Sequence, residues 1–557
     1  MEKSPTTHVE YDSSNAHSNG GDAITRVPTQ GKDAVVGTVR LLLGNETVLL
    51  PTPSPDPKDP LNLPAWRKWS ILILISVFGC SCVILASGLG PIFSVIRADY
   101  PGQELKANDL MVYPTLFMGI GNVLAMPITA VIGRRPIILL SMVTLVVSSI
   151  WCQHSGSLGS HIAGRNVMAL AAGQSEALLP MMIQEIFFLH ERGRKLAWFV
   201  FLENFLVGIF FFTSNYMVSA WGWRGWYAFF AAFNGLILLF SIFLLLETLF
   251  IRPDDASTGQ VHLTLNDVGK VDEEGANELV FRVTTKDKDF LEPEKYGVRT
   301  WRTDLRLWRK IDNWAQVSYF YLDFLKGIVH PIFFWLLLLN GAYLGLYIYQ
   351  ASTFATILMS PPFSFKFNSL GYVQGAQILC CLVFLPLLGY AGDHLIRFLS
   401  KRNGGVYKPE YRLPSLALPA IAGVIGAFMY GQTAAHPEKY HWLGVALNYN
   451  IIFFAFLGAN QVALTYAVDS FPLKAGPLLV VVCAGRGFIS FGIGYAVLPS
   501  IQAIGYDGSM NVVGTICAVL AVAAIPMYYF GPTFRKLGQN YYGFGASKEH
   551  ANGGSGH

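Results

Sequence analysis

Residues 163–195 read AGRNVMALAAGQSEALLPMMIQEIFFLHERGRK. The segment is apolar enough to lie in lipid, yet it carries Arg165, Glu176 and Glu185. A charged side chain at the centre of a lipid-spanning helix costs roughly 2.5–3.5 kcal/mol on insertion scales, and such groups face a bundle interior or a water-filled cavity. In a helix, Arg165 and Glu176 fall near one face, separated by roughly 16 Å of rise. Glu185 points to the opposite side.

The rest of the chain supplies the membrane context. Of its 557 residues 52% are hydrophobic and 14% charged, against about 25% charged in soluble domains. Apolar runs of the length that crosses a bilayer stand at about 69–96, 110–132, 136–153, 161–189, 196–220 and 225–248. A second set stands at about 329–358, 370–392, 414–432, 441–469, 475–500 and 511–531. Backbone hydrogen bonding in lipid makes each a helix. The pattern predicts an all-α membrane protein with twelve transmembrane helices in two six-helix bundles, 66–249 and 328–535. A disordered cytoplasmic tail (1–65), a cytoplasmic linker (250–327) and a C-terminal tail (536–557) complete it.

Alternate connections differ sharply in basic charge. One set holds Arg67, Lys68, Arg134, Arg135, Arg192, Arg194, Lys195, Arg397, Lys401, Arg402, Lys408, Arg412, Lys474, Arg535 and Lys536. The other holds only Arg97, Lys106, Arg224, Lys366 and Lys439. The basic set belongs in the cytoplasm, which puts both termini and the linker there. Within the linker, Trp301, Leu305 and Trp308 recur at helical spacing opposite Arg302, Arg306, Arg309 and Lys310. That pattern predicts a helix lying on the inner leaflet or packed on the bundle. The seven cysteines all fall in apolar runs and read as small buried hydrophobes.

Several stretches resemble one family, in the expected order. VIGRRP (131–136) follows the second span, and SEALLP (175–180) with HERGR (190–194) belongs to the fourth. GWRGWYAFF (222–230) opens the sixth and LLLETLFIRP (244–253) closes it. YAVDSFPLKAG (466–476) and CAGRGFISF (483–491) mark the tenth and eleventh, and DPLNLPAWRKW (59–69) leads into the first. Together these resemble the fungal drug:proton antiporter-like, twelve-spanner group of major facilitators, which includes polyamine-permease-like members. The fifth span differs from the group's Gly-Pro-rich pattern, having Gly208 but no Pro. The resemblance implies a major facilitator fold and secondary active transport. It likens Arg165 to the family arginine linked to proton coupling, and Arg486 to another family arginine.

Glu176, near mid-membrane, is the sharpest candidate for chemistry. Lost hydration favours its neutral form, which suits it to load and release a proton. It equally suits the ammonium group of a cationic substrate; the structural alternative is a glutamate bonded to a neighbouring helix. Glu203 is a second carboxylate for proton coupling. In the seventh span Asn340, Tyr343, Tyr347 and Gln350 share one helical face, with small Gly341 and Gly345 alongside expected to open space. Gln374 and Gln377 in the eighth span and Asn460 in the tenth add amides. Together they suggest a cavity that holds an amphipathic molecule by stacking and a few hydrogen bonds; interhelical polar contacts are the alternative. Arg134, Arg135 and Asp469 are candidates for cytoplasmic gating contacts between the halves, and Arg486 for closing the inner gate or meeting an anionic group.

No phosphate-binding Walker loop, no metal-spaced His or Cys cluster and no enzyme signature is present. The expectation is a monomeric transporter with no cofactor, no metal and no nucleic-acid partner. Its partners are a small organic substrate, protons and membrane lipids. The resemblance implies proton-coupled export of drugs, toxins or secondary metabolites, with the plasma membrane as the expected site. The rivals are a proton symporter importing polyamines or other organic cations, and a nutrient sensor built on a transporter fold.

Overall fold

The structure is a computed structural model that describes residues 39–40, 42–43, 46–47, 53–54, 56–250, 293–306, 314–403 and 406–544. Among the described residues, nine helices are long and apolar enough to cross a membrane. Two of the nine are double. Leu189–Leu244 turns at Gly222 (φ 70°) and Ala475–Val522 at Gly505 (φ 73°). Both glycines sit in the left-handed region that only a residue without a Cβ enters freely. The fourth span is absent from the nine because it breaks at Gln174 into Leu158–Gly173 and Ser175–Ile186. Counting these gives the twelve spans that the sequence predicts.

The first three spans are Ala65–Ser87, Asp109–Ile132 and Arg134–Gln153. The fifth and sixth lie either side of Gly222. The seventh to tenth are Pro331–Met359, Leu370–Arg402, Ala417–Ala435 and Trp442–Ser470. The twelfth begins after Gly505 and continues as Ala524–Tyr541.

Two hydrophobic cores form. One gathers Phe78, Met142, Trp226 and Phe230, and the other Phe333, Tyr343, Tyr449 and Met510. Lipid tails give helices no hydrophobic reason to associate, so close packing by small residues does this work. At Gly121 and Gly173 the second and fourth spans touch so closely that a Cβ would strike the neighbour's backbone. The two bundles meet along two seams. Gly119 and Gly487 bring the second and eleventh spans together, and Gly208, Gly371 and Gly375 do so for the fifth and eighth. All seven cysteines are free and buried.

Three expectations are amended. The amphipathic helix expected around Trp301, Leu305 and Trp308 is described only at its start: Trp301–Asp304 is helical, and residues 307–313, with Trp308, lie outside the described residues. A further amphipathic helix follows at Ala315–Val329. It exposes Tyr319, Leu322, Leu325 and Val329 and buries Phe320 and Gly327. It touches both bundles: Tyr321 donates to the Val123 carbonyl (3.3 Å) and Asp323 pairs with Lys474 (2.8 Å). Second, the expected N-terminal tail contains ordered pieces. Val39–Arg40 pairs antiparallel with Val406–Tyr407, and Asp59 caps the turn Pro60–Asn62; residues 1–38 lie outside the described residues. Third, the last helix runs past 536 to Tyr541, and Phe544 is fully buried against Phe471.

Candidate functional site

The geometry of the fourth span follows from its sequence. Pro180 has no N–H, so the carbonyl four residues earlier loses its helical partner. That carbonyl belongs to Glu176, and the Cys483 thiol of the eleventh span donates to it at 3.6 Å. Two residues before Glu176 the helix breaks at Gln174, whose amide is fully buried. Break and proline together place Glu176 at the start of a separate half-helix facing the middle of the molecule.

There a cavity of about 140 Å³ lies between the bundles. Glu176, Glu203 and Asn204 line it from one half, and Tyr347, Phe453, Phe456, Asn460 and Arg486 from the other. Glu176 forms an ion pair with Arg486, so this contact joins the two bundles. Arg486 also donates to the Asn460 amide oxygen (2.6 Å), which accepts from Asn340 as well (2.9 Å). The Arg486 guanidinium lies 5.9 Å from the Phe456 ring centroid, and Tyr347 stacks on Phe456 at 5.8 Å. Contacts between the halves flank the cavity on both sides. Gly476 approaches Met181 toward one end, and Gly90 approaches Ala351 toward the other.

Of the other residues singled out in the sequence, some join this site and some do not. Glu203 lines the cavity within electrostatic range of Glu176 and Arg486. Gln377 donates to the Tyr347 hydroxyl (3.4 Å) and so supports the wall. Gln374 lines a smaller cavity of about 40 Å³ beside Tyr347. Tyr343 turns away into the second bundle and donates to the Ala420 carbonyl (3.3 Å), and Gln350 is fully buried outside the cavity. Gly341 and Gly345 do not open space, as expected, but close it. They seat the seventh span against Ile489 and Ile493 of the eleventh.

Arg165 is not brought to Glu176. It is fully buried near the ends of the first, second and sixth spans. It donates to the carbonyls of Leu110 (2.9 Å), Leu85 (3.1 Å) and Ala86 (2.7 Å) and to the Tyr227 hydroxyl (3.2 Å). Leu85 and Ala86 lie in the last turn of the first span, where carbonyls lack helical partners, and Leu110 stands four residues before Pro114, which has no N–H to give. A shared helical face therefore did not mean a shared partner.

Arg134, Arg135 and Asp469, singled out for gating contacts between the halves, bond here within their own bundle or to the linker. Arg134 pairs with Glu185 (2.9 Å), which also accepts from Thr248 (2.7 Å). Arg135 donates to the Ile242 carbonyl (2.7 Å) and to that of Leu305 in the linker. The two arginine backbone N–H groups bond Glu247. Asp469 pairs with Arg412 and accepts from Tyr407 (2.5 Å), where burial pushes the Tyr407 phenol well above its usual range. Arg486 is the member of the expected gating set that does span the halves.

Sequence reasoning missed the aromatic wall of Phe199, Phe211, Phe453 and Phe456. A signal was present in the tenth span: Phe453, Phe456 and Asn460 follow one helical face. Phenylalanines in a spanning helix otherwise look the same whether they face lipid or a cavity.

Residues 70–476 match the Major Facilitator Superfamily. The protein is 23% identical to an uncharacterized MFS-type transporter of Schizosaccharomyces pombe over 90% of each chain. It is 24% identical to the efflux pump radE of Floropilus chiversii, over 86% of this chain and 83% of that one. The solved proton:xylose symporter XylE of E. coli shares the fold, with a TM-score of 0.52 at 15% identity over 84% of this chain and 96% of that one. The chain therefore belongs to the Major Facilitator Superfamily, as an integral multi-pass membrane transporter and not an enzyme.

Proposed function

We propose that the protein is a proton-coupled exporter of small amphipathic organic molecules. The observation that carries this reading is the Glu176–Arg486 pair, which closes across the central cavity between the two bundles. Protonation of Glu176 removes the charge that holds Arg486, and the bundles, residues 66–249 and 328–535, are then free to rock about the cavity. Glu203 offers a second carboxylate to the same coupling. The substrate rests between Tyr347, Phe453 and Phe456, where aromatic faces supply most of the contact and Asn460 a polar anchor. Export is favoured by the efflux pump among the relatives. Cytoplasmic termini and a plasma-membrane site complete the reading, on the charge asymmetry of the connections.

The test is substrate flux in vesicles carrying the purified protein, driven by an imposed pH gradient. Glu176→Gln is expected to lose gradient-driven flux while still binding substrate. Wild-type flux with unchanged pH dependence in that variant overturns the coupling role. A second reading, uptake of an organic cation, draws on the acidic excess of the cavity, where Arg486 faces two glutamates. The direction of flux under one gradient separates the two.

A further inference from the structure

The central cavity does not end at its aromatic wall. A smaller chamber of about 40 Å³ continues it, and Ser87, Thr115, Phe211, Leu344, Tyr347 and Ile348 line both. Its far end is bounded by Gly90 and Ala351, where the two bundles touch. A cavity holds a water where it offers roughly 10–15 Å³ of such space and a few polar partners. The chamber therefore has room for about three waters, and it is far smaller than the roughly 300 Å³ that a drug-sized molecule needs.

The polar partners are present, and they come from both bundles. Gln374 of the eighth span is 1% exposed and lines the chamber. Its carboxamide bonds the Tyr449 phenol, which lines the chamber as well. Its Oε1 receives no donor among the described residues. A buried acceptor without a donor is costly, and an ordered water commonly supplies one. The first bundle contributes the hydroxyls of Ser87 and Thr115. Thr115 donates to the Val112 carbonyl (2.8 Å), which leaves its own oxygen able to accept.

We propose that this chamber is a water site held by Gln374 Oε1, and that protons reach Glu176 through it from the side of the Gly90–Ala351 contact. Gln374 is then a positioning residue for the proton and not part of the substrate's contact surface. This rests on the proton-coupled reading above and adds a route to it. A hydrated proton passes its H⁺ to the Glu176 carboxylate, where the new O–H bond forms, and neutral water is left behind. Arg486 thereby loses its charged partner, and Glu203 remains the other acid of the cavity. Proton hops need only a file of hydrogen-bonded waters, so the chamber passes protons while its size excludes an organic substrate.

The experiment is radiolytic hydroxyl labelling of the full chain in detergent, read by mass spectrometry, because radicals born from bound water oxidise the side chain beside it. Met111 lines the chamber and Met118, on the same span, lines the central cavity. Gln374→Leu is expected to lose most of the Met111 oxidation and to keep that of Met118. Gln374→Glu, which retains an acceptor oxygen, is expected to restore it. Gln350→Leu, at a fully buried amide outside both cavities, is expected to change neither. Persistent Met111 oxidation in Gln374→Leu overturns the proposal. So does a parallel loss at Met118 in a variant that melts like the wild type, because the residue would then shape the whole cavity. A second measurement follows a pH jump by infrared absorption, taking the carboxyl signal that Glu176→Gln removes. Gln374→Leu is expected to slow its appearance by roughly tenfold, the cost of a misplaced water; an unchanged rate overturns the proton route. Absence of any Glu176-dependent signal in the wild type instead sinks the coupling reading itself, and the labelling alone then decides the water site.

Discussion

Arg165 and Arg486 are both buried arginines in spanning helices, and they are held in opposite ways. Arg165 gives its donors to three backbone carbonyls and a phenol of its own bundle. None of those acceptors takes up a proton near neutral pH or moves away while the bundle stays folded. Arg486 is held by a carboxylate of the other bundle and an amide of its own. A carboxylate can be neutralised, and a partner in a different bundle can leave. An arginine bonded to its own backbone acts as a rivet. One bonded across a moving interface to a titratable group has the chemistry of a switch. The opposite ends of the spans repeat the first pattern: Arg134 with Glu185, Arg412 with Asp469 and Arg535 with Glu410 (2.8 Å) each close within one bundle.

The sharpest way to break this comparison is Arg165→Met. It leaves three carbonyls without donors, and the protein is expected to lose roughly 3 kcal/mol or more of stability, read as a large fall in melting temperature in detergent. Arg486→Met is expected to cost much less in the same measurement, because Glu176 can then bind a proton. Equal losses would erase the distinction between rivet and switch. The second test concerns transport. Glu176→Gln is expected to reduce gradient-driven flux by roughly tenfold or more with little change in melting. Gly345→Leu comes next, with an expected cost of about 1–3 kcal/mol from overpacking against Ile493, and leaves the cavity side chains in place. Tyr347→Ala removes a stacking wall and is expected to cost about 1 kcal/mol of substrate binding, read by titration. The smallest expected effect is Tyr321→Phe, which loses one polar contact between the linker helix and the second span. It should shift stability by only about 0.6 kcal/mol.

Much of the fold was legible because lipid simplifies the problem. Runs of apolar residues have to be helices where backbone groups have no water to bond. The doubled helices explain why hydropathy and helix boundaries count differently. Gly222 and Gly505 turn the chain without a loop, and both occupy the same place in their bundles, between the last two spans. The linker ends in an amphipathic stretch, 315–329, that sequence reasoning did not single out, and its packing on Val123 and Lys474 brings it to light.

The site was legible by residue type but not by partner. Glu176, Glu203, Tyr347, Asn460 and Arg486 all stood out as polar groups in apolar runs, and all five line the cavity. Tyr343 and Gln350 stood out for the same reason and point elsewhere. Helical periodicity fixes which residues share a face, but not whether that face turns to a cavity, a neighbouring helix or lipid.

The sequence by itself determined that this chain crosses a membrane about twelve times and that a few charges are buried at a cost. These follow from transfer energies, which are properties of single residues and short runs. Only the tertiary structure decided that Glu176 meets Arg486 and not Arg165, that the glycines of the seventh span close a gap, and that Arg134 and Asp469 stay within their own bundles. Those outcomes depend on how helices far apart in the chain approach one another. That is set by the summed packing of many side chains and has no local signature.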